Sequence, residues 1–139
     1  MSPLAQRQID ACPIPVERHV LSGERLPLDD GAFDSVVCTW TLCSIPGVEQ
    51  ALHEMRRVLK PEGRFFFVEH GLADYPVTQK WQHRLTPLQK RLADGCHLNR
   101  DICGIVQDNG FRFLKLDTFC LKYVPRFAGF LYQGIAVKV

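Results

Sequence analysis

The chain has 139 residues, of which 46% are hydrophobic and 23% charged, an ordinary composition for a globular protein. Its formal charge is only +2 and no run of Lys and Arg exceeds two residues, which argues against a nucleic-acid partner. No apolar run approaches the roughly 20 residues of a membrane span, and the polar residues near the N-terminus do not suit a signal peptide. We therefore expect a single cytoplasmic domain over residues 1–139 without a stable membrane anchor.

The six cysteines do not follow a metal or redox motif. Cys38 and Cys43 are separated by four residues, and Cys96 and Cys103 by six. Neither spacing is that of a zinc ribbon or of a C-x-x-C redox pair. We therefore expect no metal site, with most of the thiols buried as small apolar groups.

The first third of the chain predicts a helix and two strands. Residues 3–10 have weak helical periodicity, which Pro13 ends. Val16 to Leu21 resembles a short strand, and a loop with the turn sequence D-D-G follows it. Asp34 to Thr39 is a nearly continuous apolar run, as in a parallel strand that helices cover on both faces.

The middle of the chain has the clearest periodicity. Val48 to Leu59 carries one apolar stripe at the helical spacing, with acidic residues early and basic residues late. Pro61 ends this helix, and Glu62-Gly63 turns the chain. Phe65 to Val68 is apolar throughout and predicts the next buried strand.

The last third predicts two helices and two strands. An amphipathic helix over Trp81 to Leu92 is expected to kink or break near Pro87, and a second covers Arg100 to Asn109. Asn99 is a plausible N-cap for the second helix, which Gly110 would end. The predicted strands, the last of them half-buried near a sheet edge, are Phe111 to Leu116 and Ile135 to Val139.

This order of elements, with R-V-L-K-P-E-G-R between helix and strand, resembles the class I S-adenosylmethionine-dependent methyltransferases. Several shorter segments look like the thiol-methyltransferase-like family within that class. They are T-L-C-S-I (41–45), E-H (69–70), W-Q (81–82), D-G-C-H-L-N-R (94–100) and G-I-A-V-K (134–138). The resemblance implies an α/β, Rossmann-like sheet with helices on both faces, S-adenosylmethionine as cofactor, and a small-molecule methyl acceptor such as a thiol.

The resemblance also implies which residues bind the cofactor. Sites in open α/β sheets lie beyond the carboxyl ends of the strands. Ser22 and Gly23 would lie beside the adenine, where relatives often have an acidic residue at the position of Ser22. Thr39, Trp40 and Thr41 would line the methionine end. Trp40 fits a core role equally well, since large aromatic residues dominate protein interiors.

Two histidines are candidates for catalysis. His70 follows a buried strand at the expected catalytic edge, and histidine titrates near neutral pH. The adjacent Glu69 should point to the opposite face of the sheet. His97 lies in the D-G-C-H-L-N-R segment, where it could face the acceptor or order the turn. The Trp81 to Leu92 helix is expected to be a packed surface helix, with an acceptor lid or a membrane-surface helix as alternatives.

Glycine spacing sets this chain apart from the family pattern. A complete enzyme of this class opens with a strand, a glycine-rich loop and a helix. None of the ten glycines is separated from another by a single residue, so G-x-G is absent. We expect the N-terminal β-α-β unit to be missing, which would expose a sheet edge. The alternative function is then a non-catalytic methyltransferase remnant that forms a homodimer or another complex through that edge.

Overall fold

A computed structural model describes residues 3–139 and has a four-stranded mixed sheet at its centre. The strands are β1 (Phe33–Thr39), β2 (Leu59–His70), β3 (Phe111–Cys120) and β4 (Phe130–Lys138), in the order β1-β2-β4-β3. β1 and β2 are parallel, and β4 is antiparallel to both β2 and β3. The helices are α1 (Pro3–Asp10), α2 (Val48–Val58), α3 (Pro76–Leu92), α4 (Ile102–Asp108) and α5 (Arg126–Gly129).

The β1-α2-β2 unit confirms the α/β prediction. α2 ends one residue before the predicted boundary, and its apolar stripe buries Ala51, Leu52 and Met55. The predicted turn at residues 61–63 is a bulge, because Phe33 pairs with Leu59 while Ser35 already pairs with Arg64. The parallel pairing then continues to Thr39 and Val68. Both strands therefore end at the same edge of the sheet.

The core lies on the face of the sheet that α2 and α4 cover. Phe65 and Phe67 project from β2 into this face, with ring centroids 5.4 Å apart, and Phe111 lies 5.1 Å from Phe65. Gly134 pairs with Phe67 across the sheet, and a Cβ built on Gly134 would lie 2.4 Å from the Phe67 ring. The glycine in G-I-A-V-K therefore makes room for the Phe67 ring.

Several sequence predictions for the strands need correction. Residues 15–22 form no strand, and the Val20 side chain is 84% exposed. The β1 prediction is right in extent, but the strand is not buried on both faces, because Cys38 is buried while Val37 is 71% exposed. β4 is an inner strand that pairs with β2 and with the edge strand β3, and it begins at Phe130, earlier than predicted. Alternation along β4 therefore reflects one covered face of an inner strand.

Two helix predictions also differ from the structure. α4 begins after Asp101, whose carboxylate accepts a hydrogen bond from Gly104 N at 3.0 Å, so Asn99 is not its cap. α3 begins earlier than predicted, at Pro76, and continues through Pro87 without a break. Proline removes one backbone donor, but the buried side chains of Gln82 and Thr86, just before it, hold the helix in place. None of the helices described is long and apolar enough to cross a membrane.

Glu54 connects α2 to the loop before β1 and makes the fold sensitive to acid. Its carboxylate accepts hydrogen bonds from Leu26 N and from Arg57, each at 2.8 Å. The bond from Arg57 holds the pKa of Glu54 at about 2, against an ordinary 4.5. The unfolded chain thus takes up a proton at higher pH than the folded one. The stabilisation is complete above about pH 4.5 and is lost as the pH falls towards 2.

We therefore expect Glu54→Gln to reduce the acid sensitivity of the fold. Urea unfolding at pH 7 and pH 3 should show a smaller loss of unfolding free energy in the variant than in the natural chain. Glu49→Gln is the matched control, because Glu49 is exposed on the same helix. Equal losses in the natural chain and in Glu54→Gln would contradict the assignment.

Candidate functional site

Trp40 and His70 meet at the edge where β1 and β2 end. Trp40 has a left-handed φ of 55°, which is uncommon for a bulky residue and marks a sharp change of direction after β1. Its backbone N–H still donates to Val68 O at 3.1 Å. The Trp40 ring then lies edge-on to His70, with centroids 4.5 Å apart. The turn thus forms an aromatic wall beside the imidazole.

Glu69 fixes the loop that follows Trp40. Its side chain is fully buried on the face opposite to His70, as the alternation of the strand predicts. One carboxylate oxygen accepts from Thr41 N at 2.9 Å and the other from Cys43 N at 3.1 Å. The Cys38 thiol donates to the first oxygen at 3.4 Å. A buried carboxylate needs such donors, so Glu69 and the 41–43 loop depend on each other.

The 94–100 segment packs onto the same loop. His97 N donates to Cys43 O at 2.7 Å. Arg100 donates to the carbonyl oxygen of Leu42 and, at 2.8 Å, to that of Ile45. T-L-C-S-I and D-G-C-H-L-N-R are therefore joined by main-chain and guanidinium hydrogen bonds, although about 50 residues separate them in sequence. Both segments resemble the thiol-methyltransferase-like family, but neither sequence pattern predicts this contact.

We expect Arg100→Lys to loosen this junction. A lysine ammonium cannot reproduce the fork with which the guanidinium reaches two carbonyl groups. The loss of one such bond in a partly buried place should lower the free energy of unfolding by about 1 to 2 kcal/mol. Urea unfolding measures this, with Arg91→Lys at an exposed position of α3 as the control. An unchanged midpoint in Arg100→Lys would contradict the role.

A cavity of about 280 Å³ opens at this junction. Its lining includes the aromatic pair of Trp40 and His70 and the thiols of Cys43 and Cys96. The two sulfur atoms lie 3.6 Å apart, and Cys96 Sγ is 3.5 Å from His70 Nδ1. Hydrogen bonding between the thiols lowers the pKa of Cys96 to about 7, and the same bond together with burial raises that of Cys43 far above its usual range. The cavity therefore combines an aromatic wall with one thiol, that of Cys96, whose pKa lies near neutral pH.

The proposed adenine segment lies on the same side as this loop. Ser22 is exposed, and its hydroxyl accepts from Glu24 N at 3.3 Å. A Cβ on Gly23 would lie 3.2 Å from the Ile45 side chain, so the 22–24 turn packs against T-L-C-S-I. Glu24 reinforces this contact by accepting from Gly47 N at 2.7 Å. The turn thus lies close to the loop after β1.

The remaining candidates have different surroundings. Thr39 is exposed, whereas the Thr41 hydroxyl donates to Thr39 O at 3.1 Å. His97 does not line the cavity of His70; it borders a neighbouring one of about 430 Å³. Its Nδ1 is 3.3 Å from Cys43 O, and burial lowers its pKa, so the ring is neutral at pH 7. His70 and His97 are therefore not a catalytic pair in a single cavity.

α3 presents two different surfaces. Gln82 is buried, accepts from Ala73 N at 2.9 Å and donates to Gly71 O at 2.9 Å, which ties the helix to the segment after β2. Trp81 is 50% exposed, and Val77, Leu88 and Leu92 are also exposed. The helix is therefore packed through Gln82 and open along an apolar row. Its use as an acceptor lid or at a membrane surface stays a hypothesis.

A larger cavity, of about 740 Å³, lies at the opposite edge of the sheet. Its basic side chains already have internal partners: Arg57 binds Glu54, Lys138 donates to carbonyl groups of α2 and β2, and Arg56 donates to Val139 O. Among these groups in the described part of the chain, only the buried Arg56 Nε has no partner, so little of this basic charge is free to hold an anion. The smaller cavity at the carboxyl ends of β1 and β2 is the better candidate, because ligands of open α/β sheets bind at that edge.

Comparisons with known proteins relate the chain to methyltransferases. Residues 1–67 match a family model described as a methyltransferase domain. The chain is 40% identical over 99 residues to the human thiol S-methyltransferase TMT1A, covering 70% of this chain and 41% of that protein. It is 38% identical over 127 residues to human TMT1B, covering 88% and 51%. The chain thus spans about half or less of the length of these relatives.

The fold has close counterparts among solved structures. An S-adenosylmethionine-dependent methyltransferase from Methanosarcina mazei superposes with a TM-score of 0.72 at 19% identity, covering 98% of this chain and 76% of that one. At this identity the likeness concerns the fold, and it confirms the Rossmann-like prediction. The match over residues 1–67, the human relatives and this fold all relate the chain to the S-adenosylmethionine-dependent methyltransferases.

Proposed function

We propose that the chain takes part in methyl transfer from S-adenosylmethionine to a small thiol. The observation that carries the proposal is the junction of residues 41–45 and 94–100 around one cavity at the carboxyl ends of β1 and β2. Two further points support it. Residues 1–67 match a methyltransferase domain, and the relatives TMT1A and TMT1B are named thiol S-methyltransferases.

The residues at this edge suit the two ends of the cofactor. Trp40 offers an exposed aromatic face. Gly23, which has no side chain, lies in a turn that packs against Ile45. Ser22 and Thr39 offer exposed hydroxyl groups. The Thr41 hydroxyl and N–H are already bonded within the chain, so Thr41 would hold the loop in place and not bind directly. We therefore assign cofactor contact to the side chains of Ser22, Thr39 and Trp40 and to the main chain at Gly23.

His70 is the group we assign to proton transfer. S-adenosylmethionine, when bound, supplies an electrophilic methyl group together with its own leaving group. A thiol acceptor forms a new S–CH₃ bond and must lose its proton, which a neutral imidazole at the cavity can accept. The Trp40 ring covers one side of His70. His97, which borders the neighbouring cavity, would order the loop through Cys43 O.

Cofactor binding is the direct test of this proposal. Calorimetric titration of the 139-residue chain with S-adenosylhomocysteine should give saturable binding, and Trp40→Ala should weaken it about tenfold, because a lost aromatic contact costs about 1 kcal/mol or more. Trp81→Ala is the matched control, since Trp81 is half-exposed on α3 outside this cavity. No binding, or equal weakening by both substitutions, would contradict the proposal.

An interaction role is the second candidate, and the exposed edge of the sheet favours it. Among residues 3–139, β1 pairs with β2 alone, and Val37 on β1 is 71% exposed. Unpaired strand edges readily pair with another chain, so a homodimer through β1 is the form this role would take. Light scattering should then show a dimer that Val37→Lys dissociates; a monomer at high concentration would contradict it.

The cytoplasmic location expected from the composition stays a prediction. Imaging of a fluorescent fusion tests it: diffuse cytoplasmic signal is expected, and a signal confined to one organelle would contradict it.

A further inference from the structure

We propose that Cys43, His70 and Cys96 form a site for a soft divalent cation, best suited to Zn²⁺. The three residues come from three places: the loop after β1, the last residue of β2, and the turn after α3. Their sulfur and nitrogen atoms all lie within 4.8 Å of one another. Thiolate and imidazole are the ligands that Zn²⁺ prefers. No sequence spacing revealed this group, because its members are 26 to 53 residues apart.

The distances are those of one face of a tetrahedron around a metal. With Zn–S bonds of about 2.3 Å and Zn–N bonds of about 2.0 Å, two sulfur ligands lie about 3.8 Å apart and a sulfur and a nitrogen about 3.5 Å apart. The two thiols here are 3.6 Å apart, and Cys96 Sγ is 3.5 Å from His70 Nδ1. The distance within each of these two ligand pairs therefore needs to change by no more than a few tenths of an ångström.

The main chain already holds the two cysteines in position. Cys43 donates its N–H to the buried carboxylate of Glu69, and its carbonyl oxygen accepts from His97 N. Cys96 lies in a turn that passes through Gly95 with φ of 82°, and its N–H donates to Ala93 O at 2.9 Å. Both thiols are almost fully buried. Ligands fixed in advance by surrounding hydrogen bonds raise metal affinity.

The fourth metal position would open to the cavity. Cys43, His70 and Cys96 all line the 280 Å³ cavity, together with Trp40 and Gln89. Three protein ligands and one open position are the pattern of catalytic zinc sites, whereas structural sites use four protein ligands. In the metal-bound protein His70 would be a ligand, and its role as proton acceptor would apply to the metal-free protein only.

A disulfide bond between Cys43 and Cys96 is the alternative to metal binding by these two thiols. It would need the sulfur atoms to approach from 3.6 Å to about 2.0 Å and two electrons to pass to an oxidant. Metal binding needs neither: each thiol gives up a proton to solvent, and no oxidation state changes. His70 beside the two sulfurs supplies a third ligand, which a metal ion needs and a disulfide bond does not.

Titration with Co²⁺ tests the site without cofactor or acceptor, and so separately from the proposed function. The chain, reduced with a phosphine under argon, should bind one Co²⁺ and develop the intense visible bands of tetrahedral cobalt with a thiolate charge-transfer band. Zn²⁺ should displace it, since zinc binds such sites more tightly. Cys43→Ser and Cys96→Ser should each lose about half of the charge-transfer intensity, and His70→Gln should lose the tetrahedral bands.

Cys12→Ser is the matched control, because Cys12 lies outside the cluster. It should bind Co²⁺ as the natural chain does, and circular dichroism shows whether each variant is folded. The proposal is overturned if the reduced natural chain gives no tetrahedral bands. An unchanged spectrum in Cys96→Ser, or a Cys43–Cys96 disulfide that the phosphine does not reduce, would also overturn it. The measurement on the natural chain does not depend on whether any variant folds.

Discussion

Glu69→Gln should destabilise the protein by about 3 kcal/mol, which is a large share of the stability of a domain this size. The carboxylate accepts hydrogen bonds on both oxygens, from Thr41 N and Cys43 N. Glutamine keeps one acceptor but turns its amide donor towards a backbone N–H in a fully buried place. An unpaired buried donor costs about 1 to 3 kcal/mol by itself. Urea unfolding at pH 7 measures the change.

The control for this substitution is Glu62→Gln, in the same strand but exposed. It should change the free energy of unfolding by no more than about 0.5 kcal/mol. A second readout concerns the site: the 41–43 loop should lose protection from amide hydrogen exchange in Glu69→Gln and keep it in Glu62→Gln. If both substitutions had equally small effects, Glu69 would not be the anchor of the loop.

Gly134→Val should cost about 3 kcal/mol through crowding of the core. A Cβ at this position would lie 2.4 Å from Phe67 Cζ, and Phe67 is packed between Phe65 and Phe113. The ring therefore has little room to turn away. Thermal unfolding should show a midpoint lower by at least 6 °C for a domain of this length, given the usual scaling of about 2 to 8 °C per kcal/mol.

A double-mutant cycle with Phe67→Ala separates this clash from a general weakness of β4. Phe67→Ala removes the obstructing ring at a cost of about 3 to 5 kcal/mol. The double variant Gly134→Val/Phe67→Ala should be more stable than the sum of the two losses predicts. Gln133→Val, exposed on the opposite face of β4, should have little effect. Strict additivity in the cycle would show that the two residues do not compete for space.

The sequence predicted the elements that local chemistry determines. The stripe from Val48 to Leu59, the Pro61 stop and the apolar β2 segment indicated a crossover unit, because helix period, helix breaker and strand pattern agreed. The strand predicted at Val16 to Leu21 was wrong because only one local signal supported it. Its few apolar residues have strand propensity, but propensity in strands depends on pairing neighbours, and this segment has none among the described residues.

The candidate site was predicted in part only. Alternation along β2 correctly put Glu69 and His70 on opposite faces, and the ends of β1 and β2 indicated the right edge. Arg100 and the Cys43–Cys96 approach could not be predicted, because they depend on how the turn after α3 meets a loop about 50 residues earlier. Two residues with left-handed φ, Trp40 and Asp94, shape this contact, and a bulky residue such as Trp40 rarely adopts that conformation.

The most direct test of the account is methyl transfer itself. The 139-residue chain would be incubated with S-adenosylmethionine and a matched panel of one small thiol, one amine and one phenol, and the products identified by mass. We predict a methyl thioether from the thiol alone, formed at a rate that Trp40→Ala lowers at least tenfold and Trp81→Ala leaves unchanged. Methylation of the amine or phenol with the thiol untouched, or no product from any of them, would contradict the account.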